Sequence, residues 1–291
     1  MPTPTVALVT GASRGVGKGV ATALGAQGWT VYVTGRGSAA AADPLYTTAQ
    51  EVTAAGGTGR AVVCDHRDDA QVAEVFSRIA DEQGRLDLLV NNAWSNPDGF
   101  AGFSEPFWHR PVSDWDSLIG IGLRAHYVCS VEAAKIMVGQ GSGLMANVSS
   151  FGSRGYLHSV LYGMSKTGLD KMAADMAVEL NGTGVTAVSL WLGLVQTELV
   201  KSLGDSFEGF SIADAEEPEY VGRVINALAN DPALDDYNGH TLVPPNTGAN
   251  GDCPTPTDGS RLRTGSSSVA VRCSRQQAPE PSSRKRGTVK G

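Results

Sequence analysis

Short apolar runs alternate with longer helix-like segments along most of this 291-residue chain. The first run, Val6–Val9, is followed by a helical pattern that stops near Gly28. Continuous apolar runs, rather than alternating ones, are typical of strands that are buried on both faces. We predict six strands, at Val6–Val9, Thr30–Thr34, Ala61–Cys64, Leu86–Val90, Leu144–Val148 and Val185–Leu190. Strands separated by crossover helices predict right-handed βαβ units, and therefore an α/β fold with a doubly wound parallel sheet.

Composition argues against several classes of protein. The net charge of −7 is unlike that of a nucleic-acid-binding protein, which needs a basic face. No apolar run approaches the ~18 residues of a membrane span. The chain passes from Met1 straight into a strand without a charged leader, so we predict no signal peptide and a cytoplasmic location. The five histidines lack metal-ligand spacing, and the cysteines indicate neither a disulfide framework nor a metal site; they are Cys64, Cys129, Cys253 and Cys273.

The composition changes at about Asn246. Residues 246–291 are rich in Gly, Ser, Pro, Thr and Arg, and they contain 8 Lys+Arg against 3 Asp+Glu, whereas the preceding part contains 15 against 27. Such a segment buries too little apolar surface to offset its ordering entropy. We therefore predict one domain over residues 1–245 and a disordered basic tail over residues 246–291.

A glycine-rich turn follows the first predicted strand and opens the first helix. It reads Thr10-Gly11-Ala12-Ser13-Arg14-Gly15-Val16-Gly17. Glycines permit a sharp turn and a close approach of backbone N–H groups to a pyrophosphate, which the helix N-terminus also favours. The alternative is a purely structural turn. Its place between strand and helix favours the dinucleotide-binding turn of a Rossmann-type fold.

The end of the second strand indicates which dinucleotide is bound. An acidic residue there would hold the ribose 2′-OH of NAD, but the strand ends in Thr34-Gly35-Arg36. Arg36 and Arg14 would instead hold a 2′-phosphate, so we predict NADP, with NAD as the alternative if both arginines are merely solvated. Asp65, after the third strand, is a candidate acceptor for the adenine amino group. Asn91 ends the fourth strand, where the adenosine would lie.

Tyr162 and Lys166 are the predicted catalytic pair. Their i, i+4 spacing at the start of a helical segment puts both side chains on one helix face. A nearby ammonium favours the phenolate, so Tyr162 would exchange the proton of an alcohol while a hydride moves to or from the cofactor. A serine at the end of the fifth strand would bind the substrate oxygen. Ser149 and Ser150 both fit, and we prefer Ser150 because it ends the strand.

These motifs resemble those of the short-chain dehydrogenase/reductase superfamily over roughly residues 4–245. The resemblance implies interconversion of hydrophobic or steroid-like carbonyls and alcohols with NADP(H). It also implies a homodimer or homotetramer that pairs through the helix carrying Tyr162, and it has Thr197 hold the nicotinamide carboxamide. The cofactor-binding residues that we predict from the motifs and the resemblance together are Gly11, Ser13, Arg14, Gly15, Val16, Gly17, Arg36, Asp65, Asn91, Tyr162, Lys166, Val195 and Thr197.

The chain departs from the superfamily pattern at three places. Trp94 stands where Asn-Asn-Ala is usually followed by Gly, and Leu192-Gly193 replaces the usual Pro-Gly. The superfamily also has an asparagine that helps to hold a water next to the lysine, and alignment puts Ile119 or Gly120 there. The third departure predicts a weakened proton relay. It also keeps open a second reading, a non-catalytic or weakly active nucleotide-binding or regulatory protein.

Two further segments are candidates for the substrate side. An aromatic cluster after the fourth strand is either a wall of the substrate pocket or packing within a loop; it comprises Phe100, Phe103, Phe107, Trp108 and Trp115. Residues 199–218, which contain Phe207 and Phe210, lie where the superfamily has a mobile lid, and we predict a lid there.

Overall fold

A central twisted sheet organises the chain in the computed structural model, which describes residues 5–37, 43–96, 105–207, 210–244 and 263–264. The strand order is β3-β2-β1-β4-β5-β6-β9-β10, and every neighbouring pair is parallel except β9 and β10. The strands are β1 Val6–Val9, β2 Thr30–Gly35, β3 Thr58–Val63, β4 Leu88–Asn91, β5 Gly143–Ser150, β6 Val185–Leu192, β9 Thr241–Val243 and β10 Arg263–Thr264. A separate hairpin pairs β7 Ser206–Phe207 with β8 Phe210–Ser211.

Helices cover both faces of the sheet, as expected for continuous apolar strands. They are α1 Gly15–Gly25, α2 Pro44–Ala54, α3 Asp69–Gln83, α4 Asp114–Leu118, α5 Ala125–Gln140, α6 Val160–Glu179, α7 Glu198–Lys201 and α8 Pro218–Ala229. In β1, Ala7 and Val9 pack into the core beneath α1, α2 and α8. Val6 and Leu8 pack into the opposite core, which α3, α5 and the end of α6 complete. The doubly wound Rossmann-type fold is confirmed.

All six predicted strands are present, but the strand β9 was not predicted. It has three residues and follows a glycine with a positive φ, Gly239, so its sequence gives no extended apolar run. Its residues form a strand because they pair in parallel with β6. The short β7–β8 hairpin was not predicted either.

The predicted tail lies almost wholly outside the described residues. Within residues 246–291, the structure describes only Arg263–Thr264, whose backbone pairs antiparallel with Leu242 and Val243. In the described part of the chain, no helix has the length and apolar character needed to cross a membrane.

The strand order reverses its direction of growth at β1, which lies between β2 and β4. In open α/β sheets, ligands bind beyond the carboxyl ends of the strands at such a switch point. The glycine turn leaves β1 at this edge, and β4, β5 and β6 end at the same edge. The candidate site is therefore assembled by the sheet topology.

Candidate active site

The glycine turn leaves no room for side chains at two of its positions. Gly11 has φ +64°, and a Cβ there would lie 2.8 Å from the Ala93 Cα. At Gly17 a Cβ would lie 2.5 Å from the Asn92 Nδ2 and 2.6 Å from the Gly11 carbonyl oxygen. The turn is therefore packed directly against the segment that follows β4.

Thr10 and Asn92 hold these two segments together. The Thr10 Oγ1 accepts hydrogen bonds from the backbone N–H groups of Asn92 (2.9 Å) and Ala93 (3.0 Å). The Asn92 Nδ2 donates to the carbonyl oxygens of Thr10 (2.9 Å) and Gly11 (3.1 Å). Sequence reasoning assigned neither residue a role. A threonine ending β1 and an asparagine following β4 were the available signals.

The two arginines predicted to hold a phosphate lie on either side of a contact between the glycine turn and β2. A Cβ at Gly35 would lie 3.6 Å from the Ser13 Cβ, and Arg14 and Arg36 are the residues that follow this contact on the two segments. Both arginine side chains are exposed to solvent. Two exposed arginines therefore border the end of β2.

Asp65 lies beyond β3, and Arg67 holds its carboxylate. The Arg67 Nε donates to both carboxylate oxygens, at 3.0 and 3.1 Å, and the Arg67 backbone N–H also donates at 3.1 Å. These hydrogen bonds hold the pKa of Asp65 at about 2. The carboxylate is thus an ionised acceptor at the rim, consistent with the predicted contact to an adenine amino group.

Asn91 ends β4, as expected, with its side chain inside the protein. Its side chain is fully buried, and its Nδ2 contacts the Asn147 Oδ1 (2.9 Å), the Ser130 Oγ (3.0 Å) and the His126 carbonyl oxygen (3.3 Å). These partners lie on β5 and α5, beneath the sheet edge. The Nδ2 of Asn91 therefore ties β4 to β5 and α5.

The segment after β6 returns to the glycine turn. A Cβ at Gly15 would lie 3.3 Å from the Thr197 Cγ2, and the Gly15 N–H donates to the Glu198 Oε2 at 3.0 Å. The Thr197 hydroxyl accepts from the Val200 N–H and caps α7, while Val195 is buried. The first amide of α1 therefore already binds an anionic oxygen, as helix N-termini favour. Glu198 was not predicted.

Glu216 braces the same segment. A Cβ at Gly193 would lie 2.9 Å from the Glu216 Oε1, and the backbone of Glu216 pairs with Leu194 and Gln196. Burial raises the pKa of Glu216 to about 7, although a hydrogen bond from the Gly193 backbone opposes this shift. Leu192-Gly193 replaces the Pro-Gly of the superfamily. Gly193 thus lies next to a carboxyl group that changes its charge near neutral pH.

Ser150 and Tyr162 meet in the structure. The Ser150 Oγ lies 2.9 Å from the Tyr162 Oη and accepts from the Gly152 N–H at 3.1 Å. Ser159 begins α6 by capping the Tyr162 N–H at 3.2 Å. The Ser149 hydroxyl instead donates to the carbonyl oxygen of Lys166, at 3.3 Å inside the protein. Successive residues of a strand face opposite ways, so only Ser150 reaches Tyr162.

Lys166 lies beneath Tyr162 and is 6% exposed. Its Nζ donates to the Val148 carbonyl oxygen at 3.0 Å and lies 5.5 Å from the centre of the Tyr162 ring. Burial lowers the pKa of Lys166 to about 8, and the negative charge of Asp170 opposes this effect. An ammonium with two further N–H donors is therefore available at neutral pH.

Asp170 is fixed one helical turn after Lys166. Its carboxylate accepts from the Ser189 Oγ at 2.5 Å and from the Trp191 Nε1 at 2.8 Å, which ties α6 to β6. Sequence reasoning missed this residue. Its i, i+4 spacing from Lys166 was the available signal.

Aromatic rings surround Tyr162. The Trp94 ring approaches it edge-on with centroids 6.1 Å apart, and the His158 ring does so at 4.8 Å. Phe207, within the predicted lid segment, lies 6.0 Å from His158. His158 has φ +61°, in the left-handed region, and burial lowers its pKa to about 4. Two neutral rings therefore pack edge-on against the Tyr162 ring, which also has the Lys166 ammonium beside it.

The two glycines of the turn around the predicted asparagine position have different surroundings. A Cβ at Gly120 would meet nothing within 4 Å, whereas a Cβ at Gly122 would lie 3.2 Å from the Trp94 Cδ1 and 3.8 Å from the Ser165 side chain. Residues Gly120–Arg124 form a π-helical turn, a type of segment that is frequent at functional sites. Gly122 is therefore the glycine of this turn that lies against Trp94 and against Ser165 of α6.

The predicted aromatic cluster lies only partly in the described residues. Phe107, Trp108 and Trp115 are 63%, 69% and 46% exposed, and Phe107 packs edge-on against Trp108. Phe100 and Phe103 lie outside the described residues. In the described part of the chain, no group of three or more His, Cys, Asp or Glu side chains is arranged to hold a metal ion.

Comparison with known proteins identifies the class. Residues 5–207 match the short chain dehydrogenase family, and this chain belongs to that family of oxidoreductases.

Individual proteins and solved structures show which members of the family this chain is similar to. Mouse dehydrogenase/reductase SDR family member 1 is 43% identical over 249 residues, covering 81% of this chain and 78% of the mouse protein. The human protein of the same name is 42% identical over 250 residues. A metagenomic short-chain oxidoreductase, crystallised in complex with NADP, is 29% identical with a TM-score of 0.64, covering 79% of this chain and 92% of that one. A Serratia marcescens short-chain dehydrogenase/reductase variant has a TM-score of 0.70 at 27% identity, with 84% and 97% coverage.

Proposed function

We propose that this protein interconverts a hydrophobic ketone or aldehyde and its alcohol with NADP(H). The observation that carries the proposal is the 2.9 Å contact between the Ser150 and Tyr162 hydroxyls above the buried Lys166 ammonium. The same arrangement lies at the sheet edge where the glycine turn leaves β1.

The residues at this edge fit a dinucleotide. Gly11 and Gly17 let the turn pack closely against Ala93 and Asn92, and the Gly15 N–H donates to the Glu198 carboxylate. Arg14 and Arg36 would hold a 2′-phosphate, because both are exposed and fully cationic donors. Ser13 and Val16 would line the pyrophosphate, and Val195 and Thr197 the nicotinamide. Bound NADP(H) would supply or accept the hydride.

The protein supplies orientation and the proton. The Tyr162 Oη would give a proton to the oxygen of a carbonyl that is being reduced, and would accept it in the reverse direction. The Ser150 hydroxyl would bind the same oxygen and stabilise its developing charge. The Lys166 ammonium favours the ionised form of Tyr162 by its positive charge. These three roles require preorganised groups, and the 2.9 Å contact between Ser150 and Tyr162 supports them.

The surroundings of Tyr162 support an apolar substrate. Trp94 and His158 pack edge-on against the Tyr162 ring, and Phe207 lies 6.0 Å from His158, which burial keeps uncharged at neutral pH. Such a lining favours a hydrophobic carbonyl compound over a charged one. A Synechocystis protein that is 32% identical over 243 residues is named 3-oxoacyl-[acyl-carrier-protein] reductase, after the reduction of an oxo group.

We also propose self-association through α5 and α6. Tyr127, Val131 and Val138 are 56%, 37% and 43% exposed on α5, and Val178 is 75% exposed on α6. Exposed apolar residues grouped on helix faces favour protein contacts over solvent. Light scattering of the purified protein gives the number of subunits.

Replacement of Tyr162 by phenylalanine tests the activity. We expect kcat for NADPH oxidation with a panel of aldehydes, quinones and ketosteroids to fall by about 10²-fold or more, because the proton donor is lost while the ring remains. NADPH affinity, measured by fluorescence titration, should stay close to that of the unmodified protein. The alternative function, a non-catalytic nucleotide-binding protein, is supported if NADPH binds and turnover is no higher than in the variant.

A further inference from the structure

The N-terminus of α1 has no cap from its own sequence. Arg14 precedes the helix, and its side chain makes no capping hydrogen bond; the first turn contains no acidic residue either. By contrast, Asp68 and Ser159 cap α3 and α6 with side-chain oxygens. The first N–H groups of a helix have no intrahelical acceptor and carry a partial positive charge. The N-terminus of α1 is therefore open to an anion from elsewhere.

Glu198 supplies this anion from a segment 183 residues away. The Gly15 N–H, the first of α1, donates to the Glu198 Oε2 at 3.0 Å. The preceding residue, Thr197, packs against Gly15 and caps α7 by accepting from the Val200 N–H at 3.2 Å. Glu198 itself is the first residue of α7 and is exposed. Its carboxylate can therefore turn into solvent without any change in the packing of the core.

We propose that Glu198 competes with NADP(H) for the N-terminus of α1, and that the cofactor displaces its carboxylate. The inference rests on the proposed function, which puts the pyrophosphate at this helix N-terminus. A carboxylate and a pyrophosphate a few ångströms apart repel each other, so the two anions exclude one another. Because Glu198 begins α7, its displacement also releases the start of the predicted lid, residues 199–218.

The opposite arrangement is a strap, in which the hydrogen bond from Gly15 to Glu198 persists over the bound cofactor. The negative charge of Glu198 argues against a strap, since it would remain beside the phosphates. The two arrangements also predict effects of opposite sign. A competitor stabilises only the cofactor-free protein, so its removal tightens cofactor binding, whereas removal of a strap weakens binding.

Replacement of Glu198 by glutamine tests the inference, because it removes the charge and keeps the shape of the side chain. We expect the Kd for NADPH, measured by fluorescence titration at low ionic strength, to fall by about threefold or more. The melting temperature of the cofactor-free variant should at the same time fall by about 1–2 °C, since a favourable charge at the α1 N-terminus is lost. A residue with a merely structural role would instead weaken stability and NADPH binding together.

Glu179→Gln is the matched control. Glu179 is exposed at the end of α6, which places it roughly 25 Å along the helix from Tyr162. This variant makes the same charge change and should keep both the Kd and the melting temperature of the unmodified protein. In about 1 M salt, where the Debye length is about 3 Å, the difference in Kd between Glu198→Gln and the unmodified protein should shrink.

Turnover assays with carbonyl compounds separate this inference from the proposed function. Unchanged or weaker NADPH binding by Glu198→Gln, in a protein that reduces carbonyl compounds, would overturn the inference and leave the proposed function standing. Tighter NADPH binding by this variant, without turnover of any carbonyl compound by the unmodified protein, would support the inference and overturn the proposed activity. If neither protein bound NADPH, both would be wrong, because no cofactor would displace the carboxylate.

Discussion

The two ends of the candidate site are built by different means. At the end of β1, the glycine turn works through its backbone: a Cβ at Gly17 would lie 2.6 Å from the Gly11 oxygen, and the nearby Arg14 and Arg36 are solvent-exposed. At the end of β5, the site works through buried side chains, with Lys166 6% exposed and Ser150 8% exposed. The glycine turn would therefore bind the cofactor through the shape of its backbone, whereas the side chains at the end of β5 would take part in the reaction.

This difference predicts how substitutions at each end of the candidate site change binding or turnover. Steric change in the turn should weaken cofactor binding and leave the chemistry of any bound complex intact. Loss of charge around Lys166 should instead alter the pH dependence of turnover, because charge effects are larger where solvent is excluded. Loss of an exposed charge at Arg14 or Arg36 should have an effect of intermediate size, on the choice between NADPH and NADH. Three substitutions sharpen the contrast.

Gly17→Ala should have the largest effect. The added methyl group would collide with the Asn92 Nδ2 and with the Gly11 oxygen, so the turn must open where the pyrophosphate is expected. We expect the Kd for NADPH to rise by at least about tenfold, equivalent to roughly 1.4 kcal/mol. Fluorescence titration measures the Kd, and thermal unfolding reports any loss of stability.

Gly28→Ala is the control for backbone effects. Gly28 has φ +81°, and a Cβ there would meet nothing within 4 Å. This variant should lose about 1 kcal/mol of stability and bind NADPH normally. If both variants weakened NADPH binding to the same degree, the steric argument for the turn would be wrong.

Arg36→Asp should have an intermediate effect, on the choice of cofactor. The change removes a cation at the end of β2 and supplies a carboxylate for a ribose 2′-OH. We expect the ratio of kcat/KM for NADPH over NADH to fall by about tenfold or more, since a charged hydrogen bond contributes roughly 1.5–3 kcal/mol. Arg78→Asp, on the exposed side of α3, makes the same charge change and should leave the ratio unaltered. An unchanged ratio in the Arg36 variant would exclude the proposed phosphate contact.

Asp170→Asn should have the smallest effect, a displacement of the pH profile. The Asp170 carboxylate opposes the burial that lowers the pKa of Lys166 to about 8. Without it, the pKa falls further and Lys166 loses its proton at lower pH. The alkaline limb of kcat for carbonyl reduction should therefore move down by roughly one pH unit. A pH–rate profile between pH 6 and about pH 10 measures the displacement.

Trp191→Phe is the companion variant. It removes the N–H that donates to Asp170 at 2.8 Å but leaves the carboxylate and its charge in place. Its alkaline limb should coincide with that of the unmodified protein. A shift in this variant equal to that of Asp170→Asn would show that packing between α6 and β6, rather than charge, governs the limb.

Local sequence signals predicted most of the strands, but neither the short strand β9 nor the residues that share a face in the π-helical turn. The six apolar runs predicted six strands, because burial on both faces requires continuous apolar residues. The strand β9 carries no such signal, since three residues suffice once β6 offers its edge. The asparagine position was assigned to Ile119 or Gly120, yet Gly122 faces Ser165. A π-helical turn changes which residues share a helix face, and the spacing of apolar residues in the sequence does not predict such a turn.

The sequence by itself determined the order of strands and helices, the glycine turn, and the spacing of Tyr162 and Lys166, because these depend on short-range periodicity and local steric freedom. The sequence favoured Ser150 over Ser149, but only the tertiary structure brought the Ser150 hydroxyl against Tyr162 and turned the Asn91 side chain into the protein. It alone brought Trp94 against Gly122. Each of these outcomes is a contact between segments distant in the chain, and packing of the whole sheet decides which of them form.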